Sequence, residues 1–123
     1  MDTVSCEHKE LASGRWSEMS FASQVGNLGS EVSRSLKWFG KNEKRFQVSF
    51  NRTLELFDLT MEAARRSEEA GAKNEPSRSA KLKEICRARE EFCDYFTNGN
   101  SWGTNPQRML RYYDQFAILS QAQ

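Results

Sequence analysis

"KEICRAREEFCDYF", residues 83–96, decides how the chain folds. Its apolar side chains are Ile85, Cys86, Phe92, Cys93 and Phe96, joined from upstream by Leu82. At about 100° per residue all of them fall within roughly 60° of one direction, which is the signature of one helix face. Arg89 points along the centre of that same stripe. A charge there needs a partner, because an unpaired buried ion costs several kcal/mol. Glu31 and Asp58 are the candidates, since each sits roughly 90–100° from the centre of its own helix's stripe. The planar fork of arginine suits such a carboxylate. The expectation is a buried ion pair, Arg89 with Glu31 or Asp58, that fixes the helix register. Two other arrangements have Arg89 snorkelling outward or lining an anion site inside the bundle.

The same periodicity extends in both directions. Phe21, Ala22, Val25, Leu28, Gly29, Val32, Leu36 and Phe39 form one stripe, with Ser17 placed as N-cap and Trp16 set to staple onto Phe21. Phe46, Phe50, Thr53, Leu54, Phe57, Met61 and Ala64 form a second, and Met109, Tyr112, Tyr113, Phe116 and Leu119 a fourth. Gly40, the linker "GAKNEPS" and the turn "NGNSWGTN" with Asn105–Pro106 punctuate them. The spacing predicts helices over 17–39, 43–70, 78–97 and 106–121, with no strand alternation. The fold class is all-α, and short connections make it an up-down-up-down four-helix bundle. Gly29, on the first stripe, lets another helix approach. Gly26 lies outside that stripe; plain packing is the expectation there, with a kink or a subunit contact as the alternative.

At 123 residues this is one domain. The reading divides it into a loosely ordered N-terminal segment, residues 1–15, and a helical bundle over 16–121. With 18 basic and 17 acidic residues the charges nearly cancel, which excludes a general polyanion binder and leaves local patches open. Three cysteines and no signal-peptide core or membrane-length apolar run point to a cytoplasmic protein.

Catalysis finds little support, and no catalytic residue, cofactor site or metal site is assigned. The one histidine is His8, and no Glu-x-x-His pair exists for a bundle di-metal site. Cys86 and Cys93 share a face, but seven helical residues separate them by about 10.5 Å, too far for a disulfide. They read as core thiols. Cys6 and His8 would need another chain to complete a metal site.

Two corners are basic. Arg65, Arg66, Lys73, Arg78, Lys81 and Lys83 form one, and Lys37, Lys41, Lys44 and Arg45 the other, which would share its end with Trp38 and Trp102. Cations beside exposed aromatic rings grip single-stranded nucleic acid. The second helix also carries a weaker apolar side, Val48, Leu56 and Leu59, and Trp38 and Ile118 point away from their main stripes. Together these predict self-association.

"SQVGNLGSEVSRSLKW", "LELFDLT", "LKEICRAREEFCDYF" and "YYDQFA" together resemble a family of small uncharacterised bacterial helical proteins, over roughly residues 16–119. In helix order and length the chain is also similar to two better-known bundles. One is the protein encoded in intervening sequences of 23S ribosomal RNA genes. The other is the accessory variability determinant of diversity-generating retroelements, which forms oligomers and works with a reverse transcriptase and RNA. The expectation for function is a non-enzymatic, self-associating accessory or interaction protein. The alternative is an accessory protein that binds RNA or single-stranded DNA through its basic corners, with a reverse transcriptase as a further partner.

Overall fold

The helix over Phe21–Trp38 is the one against which two of the other three long helices pack. Ser20, in extended conformation, caps it by accepting from the Ser23 N–H at 3.1 Å. Its far end closes at Gly40, whose φ of +75° suits a residue without Cβ. Asn42 then opens the next helix by accepting from the Arg45 N–H at 3.0 Å. The computed structural model describes residues 14–69 and 77–122. Among them are five helices: α1 (residues 14–18), α2 (Phe21–Trp38), α3 (Glu43–Glu69), α4 (Ser77–Thr97) and α5 (Pro106–Ala122). The described residues contain no strand. The linker at 71–76 and residues 1–13 of the N-terminal segment lie outside them.

The count exceeds the expected four because the chain bends at Met19 and Ser20. Ser20, not Ser17, is the N-cap of the long first helix. Trp16 does not staple onto Phe21 but belongs to α1 and is buried in the main core, where its indole N–H donates to Thr60 Oγ1 of α3 at 2.8 Å. Gln24, itself buried, clasps the bend by donating to the Trp16 carbonyl at 2.7 Å.

Two sides of α2 make the principal contacts. On one, α3 packs close enough for Ser35 and Ser49 to share a hydrogen bond at 3.3 Å. On the other, α5 approaches across Gly26 and Gly29. A Cβ on Gly29 would stand 2.5 Å from Tyr113 Cβ, and one on Gly26 would stand 2.8 Å from Ala117 Cα. Gly26 thus needs neither a kink nor a subunit contact: both glycines serve the same seam. Helix α4 packs on α3 through phenylalanine rings, with Phe50 stacked on Phe92 at 5.2 Å and Phe46 against Phe96 at 5.2 Å.

The α4 stripe is centred differently from the sequence reading. Its buried residues are Ile85, Ala88, Phe92 and Phe96, while Cys86, Cys93 and Leu82 are only half-buried. Ala88, too small to weigh in the pattern, draws the centre roughly 50° away from Arg89 at 100° per residue. Arg89 therefore lies on the rim, its side chain 37 % exposed. Its Nε is 3.7 Å from Asp58, which is more exposed still, and makes no hydrogen bond. Glu31 is buried but pairs within its own helix, with Arg34 at 2.7 Å. Of the two expected partners Arg89 thus meets Asp58 and not Glu31, which has a nearer cation one turn away; the pair is corrected only in its burial, since the Arg89 Nε is covered while the Asp58 carboxylate is largely exposed.

Leu56 and Leu59 are corrected too. Both are buried, because Trp16 and α1 broaden the covered arc along the second half of α3. Val48, near the other end of α3, is 56 % exposed, as is most of Ile118 on α5. Leu119, expected in the core, is exposed at the C-terminal end of α5.

Candidate binding surface at one end of the helices

The turn joining α2 to α3 and the loop joining α4 to α5 share one end of the molecule. Phe39, from the turn, lies edge-on to Phe96 at 4.9 Å and near Tyr95 at 6.2 Å, both on the last turn of α4. The sequence placed Phe39 on the buried stripe of α2, but it falls after the last helical residue and stands largely exposed.

The loop is tied by one carboxylate. Asp94 lies on the side of α4 opposite Ile85, yet it is buried because the loop folds back over it. It accepts from the Trp102 N–H at 2.9 Å, from Asn98 Nδ2 at 2.9 Å and from the Ser101 hydroxyl. Burial pushes this carboxyl upward, but the hydrogen bonds from Ser101, Trp102 and Asn98 outweigh it and hold the group below the usual carboxylate range. The Asp94 carbonyl also accepts from the Asn98 and Asn100 N–H groups, so the chain turns back over the helix end through Gly99 at φ +61°. Asn100, itself at positive φ, then donates to the Thr104 carbonyl and accepts from the Thr104 N–H. Thr104 Oγ1 donates to Glu91 at 3.0 Å, and Asn105 caps α5.

The product of this lacing is Trp102, held at a fixed place on the backbone with its residue 48 % exposed. Across the end, Lys37 and Arg45 lie over the Trp38 ring at 4.9 Å and 4.7 Å. These are cation–π contacts on the outer side of a ring that is half-buried and also packs against the core, not pointed away from it as the periodicity implied. Lys41 and Lys44 are exposed beside them. Lys37, Trp38, Lys41, Lys44 and Arg45 thus flank the α2–α3 turn, and Trp102 belongs to the α4–α5 loop at the same end. Sequence reasoning missed Phe39 and Asp94. For Asp94 the signal was a carboxylate four residues before an Asn-Gly-Asn turn.

The second basic corner is less coherent. Arg66 pairs with Glu62 at 2.6 Å, and both line a shallow groove with Asp58, Met61 and Arg65. Lys81 lies over the Phe21 ring at 5.8 Å and Lys83 is exposed. Lys73 and the side chain of Arg78 fall outside the described residues. The oligomer candidates also fail to converge: Leu56 and Leu59 are in the core, Trp38 is covered by cations, and Val48 and Ile118 sit on different helices.

Titratable groups in the interior are quiet. Burial, then the charges of Glu84 and Glu91, pushes the Tyr112 phenol far above its ordinary value, and burial does the same to Tyr113. Burial raises the Cys93 thiol, with Arg89 opposing and Asp58 adding, so it is a poor nucleophile. Cys86 and Cys93 are both free thiols. Among the described residues no three His, Cys, Asp or Glu side chains converge to hold a metal, and no helix is long and apolar enough to cross a membrane. Cys6 and His8 lie outside the described residues. No known family model matches the chain, and neither a curated protein nor a solved structure matches it.

Proposed function

We propose that this chain is a non-enzymatic, self-associating cytoplasmic protein of the interaction or accessory kind. Helices α2–α5 act as an up-down-up-down four-helix bundle, and the aromatic, basic end is the working surface. One observation carries the reading. A large aromatic side chain, Trp102, stands 48 % exposed on a loop whose backbone is fixed by Asp94. Loops held by a rigid scaffold are where binding residues concentrate. Light scattering from dilute to high micromolar protein tests it. The expected mass is a multiple of 14.2 kDa that falls toward the monomer in Trp102→Ala. A monomer throughout the range would end the self-association reading.

The cations over Trp38, with Lys41 and Lys44 beside them, favour a second reading in which the ligand is single-stranded nucleic acid. The resemblance to the retroelement accessory determinant supports it. Anisotropy of labelled single-stranded RNA or DNA should show binding that weakens as salt rises, because each phosphate contact releases counterions. Lys41→Glu with Lys44→Glu should weaken it and flatten the salt slope by about two. Wild-type protein that ignores both oligonucleotides at low salt would remove this reading.

A further inference from the structure

We propose that Asn98 is a self-modifying site, at which deamidation unties Asp94 and releases the loop that carries Trp102. The inference rests on the reading of that end as the working surface and supplies its regulation.

Asn98 is followed by Gly99, which has no side chain to shield its backbone nitrogen, and both residues are exposed. The Gly99 N–H finds no hydrogen-bond acceptor among the described residues. That nitrogen, on losing its proton to solvent base, attacks Cγ of Asn98. A C–N bond forms, the Cγ–Nδ2 bond breaks, and ammonia leaves. Water then opens the five-membered imide at either carbonyl, giving aspartate or isoaspartate. The net change is one amide and one water converted to one carboxylate and one ammonium, with no oxidant or reductant.

The surrounding asparagines supply an internal contrast. Asn100 precedes Ser101, and its amide is committed at both ends to Thr104. Asn105 precedes Pro106, which has no N–H to attack. Of the three in this loop, Asn98 alone has an unshielded neighbour.

The consequence follows from what Asn98 touches. Its Nδ2 donates to Asp94 Oδ1 at 2.9 Å and to Ser101 Oγ at 3.2 Å. Deamidation removes that nitrogen and sets a second negative charge against the first. Like charges this close disfavour each other, and Asp94 is the same carboxylate that holds the Trp102 N–H. An isoaspartate would also lengthen the backbone by one methylene where α4 terminates.

The full chain, aged at pH 8.5 and 37 °C, should gain the mass of one deamidation in the peptide containing Asn98 before Asn100 or Asn105 changes. Asn98→Asp installs one product directly. It should speed hydrogen exchange at the Trp102 amide about tenfold or more, the scale expected for losing a charge-assisted hydrogen bond. Aged wild-type protein should show the same acceleration, and Asn98→Gln should resist the mass change. An intact Asn98 after Asn100 or Asn105 has reacted, or a Trp102 amide indifferent to Asn98→Asp and to ageing, would overturn the inference. Faster exchange with unchanged oligomer mass and unchanged oligonucleotide binding would leave the modification standing and overturn the working-surface reading instead.

Discussion

Between α2 and α5 the fit depends on side chains that are missing, at Gly26 and Gly29, which face the Ala117 backbone and the Tyr113 side chain. Between α3 and α4 it depends on rings that fill space. Phe92 stacks on Phe50 at 5.2 Å and touches Phe57 at 5.6 Å and Phe96 at 5.0 Å. One seam is therefore sensitive to atoms added and the other to atoms removed. Both are apolar, yet the same mutational change should act on them in opposite senses.

Phe92→Ala should have the largest effect. It removes a fully buried ring at the centre of the α3–α4 seam, at a cost of about 3–5 kcal/mol in denaturant unfolding. Gly29→Ala tests the other seam. Alanine gains about 1 kcal/mol of helix propensity over glycine, but its Cβ would stand 2.5 Å from Tyr113 Cβ. Overpacking of that kind costs about 1–3 kcal/mol, and Tyr113 Cβ is too close to its own backbone to yield. A net loss is expected. A neutral or stabilising Gly29→Ala would show that the two seams do not differ as described.

Lowering pH should reach a third kind of contact, the hydrogen bonds that join the α4–α5 loop to Asp94. The carboxyl is held below its ordinary value of 3.8, so its contribution is fully present above that pH and is lost as pH falls through the lower folded value. The Trp102 amide resonance should hold its position from neutral pH down to about 4 and shift below it. A shift centred nearer neutrality would mean that another group ties the loop.

The smallest effect belongs to Arg89→Ala. Its contact with Asp58 is 3.7 Å long, with side chains 37 % and 64 % exposed, and surface pairs of this kind are worth about 0–1 kcal/mol. A double-mutant cycle with Asp58 should give coupling within about 0.5 kcal/mol. A coupling of several kcal/mol would place Arg89 inside the α3–α4 seam after all.

The helix-forming segments were readable because their apolar residues repeat strongly, and the caps at Asn42 and Asn105 were readable from residue type. The centre of the α4 stripe was not. Hydrophobic periodicity weighs Cys86 and Cys93 as heavily as Ile85 and overlooks Ala88, which only packing reveals as core. The role of Gly26 depends on where Ala117 lies across the seam, and a residue 91 positions away leaves no local mark. The burial of Leu56 and Leu59 depends likewise on Trp16, which the pattern assigned to the wrong partner. At the aromatic, basic end, the cations and Trp102 were visible by composition. The knot around Asp94 was not, because a carboxylate opposite the stripe looks like any solvated acid until the loop is seen to cover it.

The three tryptophans sit in three dielectric settings. Trp16 is in the core with its N–H bonded to Thr60, Trp38 is covered by Lys37 and Arg45, and Trp102 is half in water. Emission from an indole shifts to longer wavelength as its surroundings become wetter, so the chain carries its own set of optical probes. Replacing them two at a time with phenylalanine would isolate a blue emitter that reports the α1–α3 contact, one that brightens or dims as cations leave Trp38, and a red emitter at the loop. Binding, ageing and unfolding would then each be assigned to a place in the molecule without attaching a label.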